Sequence, residues 1–441
     1  MHHSHQPQRD RRARLIAEMR TQSGGGIAAI PTAPEAIRNA DTHYPYRPDS
    51  HCYYLSAFPE PEAVVVLIAG RETGDSRQIL FCREKNPERE IWDGFRYGPD
   101  AAREIFAFDE ALPISELAGK LVDLTADRPA LYTPLGLYPA WDQTVTTTLN
   151  EVRKRVRTGV AVPEAVVDVR GVIAAMRLVK DGEELKLMRR AAEISSDAHR
   201  RAMQRTRPGW FEYQVEAELA HEFLRSGAQS VAYPSIVASG PNACVLHYRD
   251  NNRQAQATDL LLIDAGCEFQ GYAADITRTF PVGGKFNGAQ KAIYELVLAA
   301  QLACIDAVRP GRPFHDYHQV AERVLAQGMI DLKLCEGTLD AVLESGAYKQ
   351  FYMHRAGHWL GLDVHDVGLY RVAGESRLLE PGMVLTVEPG CYIRPADKVP
   401  EEFWDIGVRI EDDVLVTAAG NENLTAAAPK AIAEVEAACA R

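Results

Sequence analysis

No apolar run in this 441-residue sequence approaches the ~20 residues of a membrane-spanning helix, and its N-terminus lacks the hydrophobic core of a secretory signal. Cys-x-x-Cys pairs are also missing. The eight cysteines (Cys52, Cys82, Cys244, Cys267, Cys304, Cys335, Cys391, Cys439) stand far apart, which excludes a zinc framework and the disulfide scaffold of a small secreted domain. Positive charge is in deficit: 49 Lys and Arg face 61 Asp and Glu, giving a net charge of −12. The acids are spread rather than blocked, so they read as a solvated surface, and neither nucleic acid nor an anionic membrane is expected as principal partner. These absences make a cytoplasmic protein the expectation. The opening Met-His-His-Ser-His precedes any fold signal and reads as a tail. The apolar content of 46%, at this length, suffices for two or three domains.

Residues 9–20 place apolar positions at helical spacing among arginines. Strands are expected at 26–30, 63–68 and 78–82, and helices near 115–123 and 142–158. This alternation predicts an α/β domain over residues 1–176. Asp181, with acids in the turn behind it, reads as the N-cap of a long amphipathic helix to about Arg205, opening a second domain over 177–441. A faint repeat lies within it. Arg207-Pro-Gly, leading into Tyr213-Gln-Val-Glu-Ala-Glu218, returns as Arg309-Pro-Gly, leading into Tyr317-His-Gln-Val-Ala-Glu322. Each copy is expected to enter a helix ending at Gly227 or Gly328. The spacing suggests two halves about a pseudo-twofold axis; two unrelated amphipathic helices are the alternative.

After each copy comes an apolar segment broken by acids. The first is Leu261-Leu-Ile-Asp264-Ala-Gly, returning as Ala274-Asp275-Ile-Thr-Arg-Thr-Phe280. The second is Val384-Leu-Thr-Val-Glu388-Pro-Gly, returning as Gly407-Val-Arg-Ile-Glu411-Asp-Asp-Val-Leu-Val416. Both read as antiparallel strand pairs, with Asp275 placed to face Asp264. A carboxylate in an apolar strand is costly unless a positive partner neutralises it. Two divalent cations would do so for all four acids, with His358 in Arg355-Ala-Gly-His358-Trp-Leu-Gly-Leu as a candidate fifth ligand. The competing account is an ion-pair network with Arg278 and Arg409. A ligand set of four carboxylates and one imidazole is hard and oxygen-rich, favouring Mn²⁺, with Co²⁺, Fe²⁺ or Zn²⁺ compatible. Cys267 and Cys391 read as small apolar fillers. Among other histidines, His199, His221, His315 and His318 read as structural or exposed. His247 is expected at the end of a strand, His354 and His358 on one face of a helix, and His365 in a loop near the acids.

These residues closely resemble the aminopeptidase P (Xaa-Pro aminopeptidase) group of the creatinase/methionine aminopeptidase superfamily. The motifs are Ser239-Gly-Pro-Asn-Ala-Cys-Val-Leu-His247-Tyr, Leu262-Ile-Asp264-Ala-Gly, Ala274-Asp275-Ile-Thr-Arg-Thr-Phe, Gly357-His358-Trp-Leu-Gly-Leu-Asp-Val-His365-Asp-Val-Gly, Val387-Glu388-Pro-Gly and Ile406-Gly-Val-Arg409-Ile-Glu411-Asp. The likeness reaches into the first domain through Tyr44-Pro-Tyr-Arg-Pro-Asp-Ser-His-Cys-Tyr-Tyr54, although Ala57 stands where related enzymes usually have glycine. Methionine aminopeptidases lack that domain, so the resemblance points to aminopeptidase P or prolidase.

The resemblance implies an α/β N-terminal domain of creatinase type and an α+β pita-bread catalytic domain with a pseudo-twofold repeat. It implies two metal ions: Asp264 would hold one, Asp275 and Glu411 would bridge, and His358 and Glu388 would complete the other. Arg409 would orient a ligand carboxylate. His247, His354 and His365 would bind substrate and stabilise the transition state, and Glu388 would relay a proton. Trp92, in Glu90-Ile-Trp-Asp-Gly, resembles an aromatic supplied by a neighbouring subunit, with a core tryptophan as the alternative. The implied reaction is removal of the residue preceding a proline at position two of a peptide, by a metal-bridging hydroxide, in a homodimer or homotetramer. Prolidase, which cleaves only Xaa-Pro dipeptides, is the rival; creatinase-type chemistry fits less well because all five ligands stand, and a metal-free binding protein is the alternative outside enzymes.

Overall fold

The computed structural model describes residues 5–440, and the chain divides into two compact units, Met1–Arg177 and Leu178–Arg441. The first is built on a six-stranded mixed sheet, in the order Glu110–Pro113, Arg77–Cys82, Val64–Ala69, Gly26–Pro31, Ala130–Thr133 and Ala165–Asp168. Every residue of Val64–Ala69 is buried, which is why that strand is apolar without alternation. Helices Leu117–Thr125 and Pro139–Lys154 pack Leu121, Trp141, Val145 and Leu149 against Ile27, Val64, Val66 and Phe81. The short helix Pro87–Asp93 buries none of its residues, and Trp92 is 84% exposed. That exposure rules out the core tryptophan.

In the second unit Asp181 caps helix Gly182–Arg205. Its Oδ1 accepts the Glu183 and Glu184 N–H groups at 2.9 and 3.0 Å, and Glu184 Oε2 accepts the Asp181 N–H at 3.0 Å. This reciprocal box satisfies N–H groups that no helical carbonyl can reach. The first half pairs this helix with Glu212–Arg225 and adds an antiparallel sheet of Ile236–Ser239, Leu260–Asp264 and Thr277–Pro281. The second half pairs Gly288–Ala307 with Asp316–Asp331 and adds Val384–Val387, Asp412–Thr417 and Gly420–Asn423. The repetition is the two-half arrangement of the pita-bread fold. One apolar core draws on both halves, joining Ala191, Leu219 and Leu261 to Leu325, Leu385 and Val414.

Several expectations need correction. Gly328 does not end its helix, which continues to Asp331; a Cβ there would overlap Leu296 of helix Gly288–Ala307, so the glycine marks close helix packing. Asp264 pairs with Thr277, so Asp275 lies beyond the ladder, delivered by the small hairpin Cys267–Phe269 and Tyr272–Ala273. The second acid pair is split as well. Val384–Val387 pairs with Asp412–Thr417, whereas Gly390–Ile393 pairs with Ile406–Arg409. The chain changes partner around Pro389, which has no N–H to sustain a ladder, and Glu388 and Glu411 sit at that break. His354 and His358 are on no helix, and His247 lies in a turn after the short helix Gly240–Cys244.

Candidate metal centre

The acids converge because each stands where a ladder stops. A carboxylate inside a ladder would be fixed to one face of the sheet, whereas one at a strand end can turn toward a neighbour. Asp264, Asp275, His358, Glu388 and Glu411 all line one cavity of about 790 Å³ in the second unit, together with His247, His354, His365 and Arg409. Trp92 belongs to the first unit. Two glycines permit the convergence: a Cβ at Gly266 would overlap the Ala274 carbonyl, and one at Gly357 the Thr386 carbonyl.

Ligand atoms of Asp275, His358 and Glu411 lie within 4.8 Å of one another. Glu388 Oε1 is 3.5 Å from His358 Nε2, and Asp275 Oδ2 is 3.4 Å from that same nitrogen. Asp264 joins through Tyr233, whose hydroxyl meets Asp264 Oδ1 at 2.6 Å and also Asp275 Oδ1. The orientation of His358 is fixed from behind. Its Nδ1 meets the Trp359 carbonyl at 2.9 Å, a contact that only an N–H can make favourably, so Nε2 is the nitrogen turned toward the acids. Thr277 Oγ1 donates to Glu411 Oε2 at 2.6 Å, and Thr386 Oγ1 to Glu388 Oε1 at 3.2 Å.

Charge balance separates the two explanations offered for these acids. Arg409 Nη2 donates to Asp264 Oδ2 at 2.7 Å, and among the described residues no other Lys or Arg forms an ion pair with any of the four carboxylates. Arg278 is committed elsewhere, to Asp412. Burial therefore raises the Asp275 and Glu411 carboxyls, with neighbouring acids adding to the effect. Glu388 is pushed up to about 7, first by burial and then by Asp275 against the opposing His358. His358 moves the other way from an ordinary buried histidine: burial would lower it, but Asp275 and Glu388 hold it at about 9. Carboxyls and an imidazole that all hold protons more tightly than usual mark an excess of negative charge that divalent cations would offset in place of those protons, and the ion-pair network with Arg278 and Arg409 does not account for it.

Arg409 Nη1 also donates to Tyr392 Oη at 2.9 Å, and that oxygen lies 2.8 Å from His354 Nε2. His354 Nδ1 meets the Arg355 carbonyl at 2.8 Å, so both ring nitrogens are engaged. Burial and then Arg409 lower it to about 3. His365 stands with its ring centroid 4.2 Å from that of His358, and burial followed by His358 lowers it too. Tyr233, Thr277, Thr386, Tyr392 and Asp413, whose Oδ2 accepts the Asp275 N–H at 3.2 Å, were not among the expected site residues. The threonines had a signal, each lying two residues from an acid along an extended strand; Tyr233 and Tyr392 had none.

Two family models match the chain: Metallopeptidase family M24 over residues 186–418 and Aminopeptidase P, N-terminal domain, over residues 8–132. Xaa-Pro aminopeptidase of Escherichia coli K12 is 46% identical over 427 residues, covering 97% of this chain and 96% of that protein. The structure of Pseudomonas aeruginosa aminopeptidase PepP superposes with a TM-score of 0.96 at 49% identity, covering 99% of this chain and 98% of the other. A zinc-substituted E. coli aminopeptidase P in complex with product gives 0.96 at 45% identity, covering 100% and 99%. The chain belongs to metallopeptidase family M24, in its aminopeptidase P group. Membership makes it a metal-dependent peptidase, and the metal-free binding protein is set aside. Asp275, His358 and Glu411 in this cavity form a candidate metal-binding cluster for this metallopeptidase. No helix among the described residues is long and apolar enough to cross a membrane.

Proposed function

We propose that this M24 peptidase removes the N-terminal residue from peptides carrying proline at the second position. Asp264, Asp275, His358, Glu388 and Glu411 would hold two divalent ions, with Asp275 and Glu411 shared between them and Mn²⁺ the preferred metal. Bound there, such ions supply a water acidified to near neutrality as nucleophile and polarise the scissile carbonyl. The observation that carries this reading is the confluence of four carboxylates and one oriented imidazole in a single cavity, with one arginine paired to them.

The remaining roles belong to the chain's own side chains. Arg409 and Tyr233 orient Asp264, which frees its remaining lone pairs for a cation. Glu388, held by Thr386, takes the proton of the attacking water and delivers it to the leaving proline nitrogen. His365 and His247 donate to the tetrahedral oxyanion, and His354 flanks the substrate in a neutral state. Proline's nitrogen is a tertiary amide without N–H, so recognition must rest on shape. Pro234, Leu246, Val364 and Tyr370 supply apolar walls for the ring.

The reading extends to a cytoplasmic homodimer or homotetramer acting on peptides. Eight free, buried cysteines suit a reducing compartment, and Trp92 with Ile91 and Phe95 forms an exposed apolar group suited to a second copy. The test is a Mn²⁺-supplemented assay on Xaa-Pro-Yaa peptides with an Xaa-Ala-Yaa control. Release of Xaa from the first and not the second is expected. Turnover confined to Xaa-Pro dipeptides would favour prolidase instead.

A further inference from the structure

Glu212, the first residue of helix Glu212–Arg225, is fully buried and gathers donors from a stretch of chain far from it in sequence. Its Oε1 accepts the Ser239 N–H at 2.7 Å, the Ser239 hydroxyl at 2.7 Å and Asn242 Nδ2 at 3.1 Å. Its Oε2 accepts the Tyr248 hydroxyl at 2.7 Å and the Arg253 N–H at 2.8 Å. The Glu212 N–H in turn donates to the Arg253 carbonyl at 3.0 Å. One carboxylate thus closes both ends of residues 239–253 and also holds Tyr248, the neighbour of His247. Arg253 Nη1 tightens the same knot from Ser239 Oγ at 2.7 Å.

The other half of the molecule shows what this position does without such a task. Asp316, at the start of the matching helix Asp316–Asp331, stays partly exposed and pairs with Arg312 of its own turn at 2.9 Å. An acid at a helix start needs no burial, because the helix dipole alone favours it there. The roles of the following tyrosines are reversed as well: Tyr213 is 52% exposed, whereas Tyr317 is buried. In the first half the acid has been drawn inward to serve a loop.

That loop carries His247, with Leu246 and Arg249, to the cavity wall, and none of the five candidate metal ligands lies on it. His247 is itself exposed, so its placement depends on the loop beneath it. We infer that Glu212 is a positioning residue for substrate: it fixes the His247 loop against the cavity and leaves the metal cluster to other supports. The inference rests on the reading of this cavity as a peptide site.

The test uses the full-length, metal-loaded enzyme with Glu212→Gln and Tyr248→Phe, each made alone and on a His247→Ala background. Glutamine places an amide NH₂ among groups that are themselves donors, whereas Tyr248→Phe removes the one charge-assisted bond to Glu212 and the longer 3.4 Å contacts with Asn252. Glu212→Gln is expected to lower kcat/KM about 10- to 100-fold and Tyr248→Phe roughly 10-fold, the loss appearing in kcat as well as in KM because His247 faces both substrate and oxyanion. Adding either to His247→Ala should cost no more than about 2-fold further, as groups acting in series require. Mn²⁺ affinity measured without substrate should be unchanged. Amide hydrogen exchange in residues 240–252 of Glu212→Gln should quicken at least about 10-fold while residues 260–264 keep their protection. Additive losses on the His247→Ala background, weakened Mn²⁺ binding or unchanged exchange in the loop would each overturn the inference. Should the wild-type enzyme cleave no peptide, the proposed function fails, and the exchange measurement still decides whether Glu212 holds the loop. If Glu212→Gln does not fold, Tyr248→Phe decides it by the same readouts.

Discussion

Arg278, fully buried, donates from Nη2 to Asp412 Oδ1 at 2.6 Å, one residue away from the Glu411 carboxylate that it does not touch. All five guanidinium protons find acceptors: Asp412, and the carbonyls of Thr277 at 2.9 Å, Glu411 at 2.5 Å, Ala428 at 3.1 Å and Pro429 at 3.1 Å. Asp412 also accepts from Lys430 Nζ at 2.6 Å, Gln301 Nε2 at 2.7 Å, Asn423 Nδ2 at 2.9 Å and Thr425 Oγ1 at 2.8 Å. The network clamps the backbone of Thr277 and Glu411 from behind the cavity.

Removing Arg278 leaves buried Asp412 with Lys430 as its remaining cation and takes a donor from each of four backbone carbonyls. Arg278→Met should destabilise the second unit by about 3–5 kcal/mol, and Arg278→Lys should restore only part of this because three donors cannot reach five acceptors. Urea unfolding measures both. A loss below about 1 kcal/mol for Arg278→Met would mean the network does not support the fold.

Ion removal should make stability depend on pH in a defined direction. In the ion-free protein Glu388 titrates at about 7 instead of 4.5, driven by burial and then Asp275 against His358, and His358 at about 9 instead of 6.5. For both groups the folded chain binds protons more tightly than the unfolded chain. The glutamate's contribution is complete below pH 4.5 and lost as pH rises through about 7; the histidine's is complete below 6.5 and lost through about 9. Chelated protein should therefore melt at progressively lower temperature between about pH 5 and 8.5, with the rise on adding Mn²⁺ growing over the same interval. A Mn²⁺ effect independent of pH would separate the ions from these groups.

Glu388→Ala should cut kcat by several orders of magnitude and keep the fold, since the side chain faces the cavity and its removal relieves charge crowding. His365→Ala should cost about 10²–10³-fold in kcat, the usual cost of one oxyanion donor. Far-UV circular dichroism and steady-state kinetics on an Xaa-Pro-Yaa peptide check the pair. Near-normal turnover by Glu388→Ala would remove it from the mechanism.

The sequence makes the acids legible because charge interrupts apolar periodicity, and that signal is local. Asp264 and Glu388 are visible as breaks in strands, and Asp181 as a cap followed by Glu183 and Glu184. How the acids meet was less readable. Pairing Val384–Val387 with Asp412–Thr417 rather than with one long returning strand depends on tertiary register, which Pro389 hints at without specifying. Gly328 misled as a helix stop because its real constraint is Leu296 on another helix, 32 positions earlier in the chain. Tyr233 and Glu212 were silent for the same reason: an isolated polar residue shows its importance only through partners distant in sequence.

Trp92 gives the last prediction its edge, because an 84% exposed indole is not holding its own unit together. Its helix Pro87–Asp93 is anchored instead by Asn86, whose Oδ1 accepts the Arg89 N–H at 3.0 Å, and by Glu90, which binds Lys85 Nζ and the Arg96 N–H at 2.8 Å each. Trp92→Ala should leave the unfolding free energy of dilute protein within about 0.5 kcal/mol of wild type, as surface substitutions do. If a second copy uses the indole, the same change should lower kcat/KM on peptide substrates by about 10-fold, the share of a modest aromatic contact. Analytical ultracentrifugation run beside the kinetics separates a weakened assembly from an impaired site. Wild-type kcat/KM in an intact oligomer would assign Trp92 to the solvent.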